Sequence, residues 1–227
     1  MIRRHALLTF FVVANMISWL IWAPLWLPRF GVHGLPVLRF HHALGAFGPI
    51  TAAFIVSAIE TGRAGPADLI RRMGLWRNQI AWLIFASCGP LAMLALALLG
   101  ARLYGAEAPS VVGFGLSREF PQFSALGFMV YNVVTFGFGE ETGWRGFALP
   151  LLQRRFGALV AALLVTPIWA LWPLPVFFTV ATYRDFPPPG YGSFCFGLPL
   201  RASILNRLYN RAAAHRPRGT SGLGRCV

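Results

Sequence analysis

Lysine is absent from this 227-residue chain, and acidic residues are scarce: seven in all, against twenty arginines. Charged residues make up 12% of the sequence, where a soluble domain carries about 25%. With 56% hydrophobic residues and a mean hydropathy of +0.60, the composition excludes an ordinary soluble domain and points to a membrane protein. Cysteine is equally sparse. Cys88, Cys195 and Cys226 show neither paired nor metal-ligand spacing, so neither a disulfide framework nor a cysteine-bound metal is expected. Cys226 stands next to last, so no prenylation box of the chain's own is expected. Internal repeats, glycine-rich phosphate loops and nucleotide motifs are missing as well.

What is present is arginine, for a net charge of +13, distributed between apolar stretches instead of in one patch. That distribution excludes nucleic acid as a partner and suits the anionic headgroups of a lipid bilayer. Residues 6–28 carry no charge and follow Arg3 and Arg4. They can cross a hydrocarbon layer of about 30 Å. No A-x-A site follows, so the stretch reads as a first membrane helix with a cytoplasmic N-terminus, not a cleaved signal. Trp19, Trp22 and Trp26 suit an interfacial belt near its far end.

A second span is expected over residues 40–59, with Gly45, Gly48 and Pro49 marking close packing or a kink. His41 and His42 stand at its mouth. Adjacent positions diverge on a helix, which favours interfacial histidines over a shared metal. Residues 60–79 carry a basic excess and predict a short amphipathic helix around Asp68–Trp76, lying flat on the cytoplasmic surface. A third span over 80–101, a charge-balanced outer loop and a fourth span from 123 follow. On this topology the charges after residue 139 lie near, or somewhat below, the cytoplasmic surface. Residues 157–183 are charge-free but contain Pro167, Pro173 and Pro175, which predict a broken helix. Beyond Arg184, residues 191–200 are too short to span, and 201–227 read as a basic, disordered tail. The expected fold is all-α: a multi-pass plasma-membrane helix bundle of about five to six spans over residues 1–200, with an apparently truncated C-terminus.

The stretch from Thr135 to Phe147 carries the chemistry: Glu140 and Glu141 are adjacent, and Arg145 follows. A carboxylate at membrane depth costs roughly 2.5–3.5 kcal/mol on insertion scales, so a pair of them implies a use or a partner. On a helix Glu141 and Arg145 share a face and can pair, whereas Glu140 lies about 100° round. One glutamate is thereby held and the other left for proton chemistry. The same residues also suit a plain helix end at the water interface, and spacing alone does not separate the two readings.

With Glu140-Glu141-x-x-x-Arg145 continued by Trp144-Arg145-Gly146-Phe147, the chain resembles the CPBP intramembrane proteases. That family joins CAAX prenyl endopeptidases with Abi-like proteins linked to bacteriocin processing and immunity. The resemblance extends through Leu151-Leu152-Gln153 into the block from Trp169 to Phe178, and covers Gly48-Pro49 and the loop after the second span. It implies an intramembrane endopeptidase of a membrane-associated peptide. Glu140 would activate the attacking water, with Glu141 and Arg145 in the matching supporting positions. Desolvation of a carboxylate makes it a useful base for that task. The resemblance leaves the metal open, a divalent ion such as zinc being one choice.

Two departures stand against it. The family's second motif, F-x-x-x-H, falls on Trp169 to Pro173, so proline replaces the histidine. The third, a histidine followed four residues later by a polar residue, has no counterpart: His215 is the only histidine after His42, and Gly219 follows it. The arginine-rich ending is expected to reflect truncation or a reading-frame change near residues 197–212. The alternative function is therefore a non-catalytic interaction or immunity protein on the same scaffold, with a small proton-coupled transporter third. A Pro173 facing Glu140 across a polar pocket is the geometric expectation of the peptidase alignment.

Overall fold

A computed structural model of the chain describes residues 5–73, 95–96, 98–105, 116–117, 119–177 and 179–180. Among these residues the regular structure is entirely helical. Helix α1, Ala6–Ile21, shows what solvent the chain is built for. It buries Ala6, Phe10, Ala14 and Ser18 at a spacing of four, and exposes Leu8, Val12, Met16 and Leu20 at the same spacing. A helix with large apolar residues on its outer face has no water-facing side, which fits a lipid surround. The chain then bends by 58° at Trp22 into α2, Ala23–Trp26, and a 3₁₀ turn, Leu27–Phe30. Pro24 accounts for the bend, because its ring cannot donate to the Leu20 carbonyl and crowds it. Residues 6–28 thus form a broken element instead of one straight span.

Helices α3, His41–Ala46, and α4, Gly48–Thr61, form a nearly continuous apolar run of 21 residues, long enough to cross a bilayer. They lie antiparallel to α1. The Trp22 indole donates to the His42 carbonyl at 2.9 Å, and the Ser18 hydroxyl to the Gly45 carbonyl at 2.8 Å. A Cβ on Gly45 would overlap the Trp22 indole, and one on Gly48 would overlap the Ser18 hydroxyl. Both glycines are therefore contact surfaces that bring two backbones together.

Gly62, at φ +61, lets the chain reverse after α4 into α5, Ala64–Met73. Helix α6, residues 125–153, starts at Ser124, whose hydroxyl accepts from the Gly127 N–H at 3.2 Å. It widens into π-helical turns over Val133–Glu140 and again over Trp144–Ala148, on either side of one α turn at Glu141–Gly143. Such turns are uncommon and gather at functional sites. Helix α7, Ala158–Leu171, is apolar on both faces; the chain breaks at Trp172–Pro173 before a short α8, Leu174–Phe177. The break falls where Pro173 and Pro175 follow one another at a spacing of two. Trp172 locks α7 to α1, since its indole donates to the Ser18 hydroxyl at 2.7 Å while its carbonyl accepts from Trp19 at 2.9 Å.

The product is a helical membrane bundle packed around Phe10, Trp22, Val56, Trp144, Leu149 and Val176, all fully buried. Among the described residues one helix is long enough to span, or two if the bent α1–α2 pair counts as one element. The five to six spans expected from hydropathy are not reached there. Most of the third span, the stretch 191–200, the basic tail and all three cysteines lie outside the described residues.

Candidate active site

Helix α6 runs parallel to α3 and α4, and small residues set how close it comes. The Phe136 ring lies 6.0 Å from the His42 ring; a Cβ on Gly139 would meet the Ala46 carbonyl at 2.9 Å, and one on Gly143 would meet Pro49 at 2.5 Å. Glu140 therefore lies level with Ala46 to Pro49, about 8–12 Å along the run from His41 and about 18–22 Å from Thr61. The carboxylate thus lies alongside the apolar run of α3 and α4, and the helix that bears it continues past Gly139 through Gln153.

The two glutamates diverge, as adjacent positions on a helix must. Glu140 is buried, at 8% exposure, and its Oε2 accepts from the Trp169 indole N–H at 3.1 Å. The Glu141 side chain is 30% exposed and pairs with Arg145 one turn on. Arg145 itself is buried, and its guanidinium lies over the Trp169 ring, 4.7 Å from the ring centre. Trp169 thus meets both charged groups, by its edge and by its face. Spacing brings Glu141 and Arg145 together; only the packing of α7 against α6 brings Trp169 to them.

A cavity of about 280 Å³ opens beside the pair, lined by Arg72, Glu141, Thr142 and Arg145 with apolar neighbours that include Leu69 and Phe138. Among its described lining residues are neither Glu140 nor Pro173. Pro173 is buried one turn beyond Trp169. The expected cavity shared by Glu140 and position 173 is not this one, and the residue that reaches Glu140 from α7 is the first of the five-residue motif, not the last.

One wall of the cavity comes from α5. Its Leu69 is buried, 4.0 Å from the Cβ position of Gly146, and Arg72 donates to the Gly146 carbonyl at 3.4 Å. The amphipathic helix expected around Asp68 docks onto the helix that bears the site. Within α5, Asp68 accepts from both Arg71 and Arg72, the second of which reaches Gly146. Burial alone would raise the Asp68 carboxyl, but the hydrogen bonds and positive charge of the two arginines outweigh it, so it lies below the usual aspartate range. Stability from this group is present above the unfolded-state value of about 3.9 and is lost as pH falls through the lowered folded-state value. The melting difference between wild type and Asp68→Asn is accordingly expected to hold constant above about pH 5 and vanish by about pH 2. A pH-independent difference would show that Asp68 acts by packing alone.

The histidines occupy a separate place. His42 is buried, with Nδ1 3.0 Å from a Glu119 carboxylate oxygen, and His41 Nδ1 accepts from the Leu38 N–H at 3.0 Å. Both line a second cavity of about 190 Å³ together with Arg39, Glu119 and Thr179. Sequence reasoning treated both as interfacial and missed the tie to Glu119, which is 77 residues away in the chain.

A polytopic helix bundle with a buried, hydrogen-bonded carboxylate next to an ion-paired one defines the class of membrane-embedded carboxylate sites. Residues 122–211 match the family described as Rce1-like, type II CAAX prenyl endopeptidase. CAAX prenyl protease 2 of Methanococcus maripaludis is 35% identical over 72 residues, which cover 32% of this chain and 24% of that relative. Through this segment the chain is similar to the CAAX prenyl endopeptidases. The aligned stretch spans about a quarter of the relative's length. No solved structure matches the chain.

A divalent cation of the kind the resemblance implies does not fit the described side chains around Glu140. Among the described residues, the groups that meet that carboxylate and its neighbour include an indole N–H and a guanidinium, both donors only. Position 173 supplies no nitrogen ligand, and no three His, Cys, Asp or Glu side chains converge among the described residues.

Proposed function

We propose that the chain is an intramembrane endopeptidase of the CAAX-protease type, acting on the C-terminal or juxtamembrane part of a membrane-associated peptide. The observation that carries this reading is the buried Glu140 carboxylate, which accepts from the Trp169 indole beside the Glu141–Arg145 pair within the family-matched segment. In the proposed reaction Glu140 takes a proton from a water as the water oxygen adds to the peptide carbonyl. Collapse of the adduct breaks the C–N bond, and the proton leaves with the amine. Glu141 and Arg145 keep the helix face in register. The proposed setting is a multi-pass plasma-membrane protein with its N-terminus in the cytoplasm.

A second reading, a peptide-binding protein without turnover, is favoured by the proline at 173 and the indole on Glu140. One experiment separates them. Purified full-length protein in lipid nanodiscs is incubated with a farnesylated peptide ending in a CAAX sequence, and products are followed by mass spectrometry. Peptidase activity predicts release of the C-terminal tripeptide by wild type and none by Glu140→Gln. Saturable binding without release supports the second reading, and release undiminished in Glu140→Gln overturns the role of Glu140.

A further inference from the structure

We infer that Trp169 is the positioning residue of the site, a lock that fixes the Glu140 carboxylate and Arg145 guanidinium at a set separation and occupies the carboxylate's Oε2. The indole N–H reaches Oε2 at 3.1 Å, the ring carries the guanidinium at 4.7 Å, and Trp169 is itself buried. Its own place is over-determined by the next turn, where Trp172 bonds Ser18 and Trp19 of α1. Tryptophan is a donor only and does not titrate, so it can hold a carboxylate but cannot pass it a proton. An imidazole on the same oxygen could do both. The lock therefore places on Oε2 a donor that orients the carboxylate and takes no part in proton transfer. It does so with a residue one turn before the position at which sequence alignment places the family's histidine.

The catalytic consequence rests on the reading of Glu140 given above, but the lock itself is measurable without turnover. Full-length protein in micelles is treated with dicyclohexylcarbodiimide, an apolar reagent that modifies carboxyl groups at membrane depth. Modification of Glu140 and Glu141 is then timed by peptide mapping. Trp169→Phe keeps the aromatic ring and removes the donor; it is expected to raise the rate at Glu140 about tenfold while Glu141 changes less than about twofold. An unchanged rate at Glu140 overturns the inference. So does an equal rise at both glutamates, which would mean general loosening.

A second measurement does not depend on the folding of that variant. With ¹⁵N-labelled indoles, Glu140→Gln is expected to shift one of the eight tryptophan Nε1–H resonances upfield, because an amide oxygen replaces a carboxylate as acceptor. Glu141→Gln should leave that resonance in place. No resonance specific to Glu140→Gln would overturn the inference. Failure of the peptidase reading would appear as absent cleavage with both signatures intact. Failure of the lock would appear as absent signatures, whether or not the protein cleaves.

Discussion

Glu141→Gln is expected to remove about 3 kcal/mol of stability and most of the folded yield, while Glu140→Gln leaves yield near wild type. The asymmetry follows from what each substitution strands. Arg145 is buried, and its charge partner among the described side chains is Glu141. Taking that charge away leaves a guanidinium with an aromatic face for company, and breaking a buried pair from one side costs about 3–5 kcal/mol. Partial exposure of Glu141 keeps the figure at the low end. At Glu140 the glutamine oxygen can still accept from the Trp169 indole, so the buried N–H keeps a partner. Thermal unfolding and monodisperse yield in one detergent measure the difference. Equal losses from the two changes would mean that the pair is structural only.

Gly143→Ala is expected to be nearly as damaging, although it adds one methyl group. The new Cβ would sit 2.5 Å from the Pro49 carbon and oxygen of the main chain, where no side chain can swing aside. Relief requires α6 to back away from α4, which would also move Glu140 relative to Trp169. Overpacking of this kind costs about 1–3 kcal/mol, and a rigid backbone neighbour puts it at the upper end. Gly137→Ala, six residues earlier on the same helix, is the matched control: its Cβ would meet nothing nearer than 3.9 Å. That change is expected to be neutral, or stabilising by the fraction of a kcal/mol by which alanine exceeds glycine in a helix. Equal melting temperatures for the two variants would contradict the close crossing.

The Pro173 position shows how far local patterns carry. Aligning F-x-x-x-H on Trp169 to Pro173 identifies the right helix and the right turn. On that turn the side chain that reaches the carboxylate is the indole at position 169. The Gly139 and Gly143 spacing was a usable signal of the close helix crossing, since small residues four apart mark tight packing in lipid.

By itself the sequence determined the membrane class, the helical elements, the family segment and the Glu141–Arg145 pair. Each of these is written in composition or in spacings of a few residues, within one helical turn or one hydrophobic run. Tertiary structure alone decided the level of Glu140 along α3 and α4, a donor that holds it, the docking of α5 as a cavity wall and the tie between His42 and Glu119. Those contacts join residues 29 and 77 apart in the chain. In a soluble helix the polar face would reveal the rotation about the axis. Here α1 and α7 are apolar toward both lipid and core, so hydropathy leaves the rotation of each helix unmarked. The glycines that touch backbone at the crossings, and the indole N–H groups that must find acceptors, fix it instead.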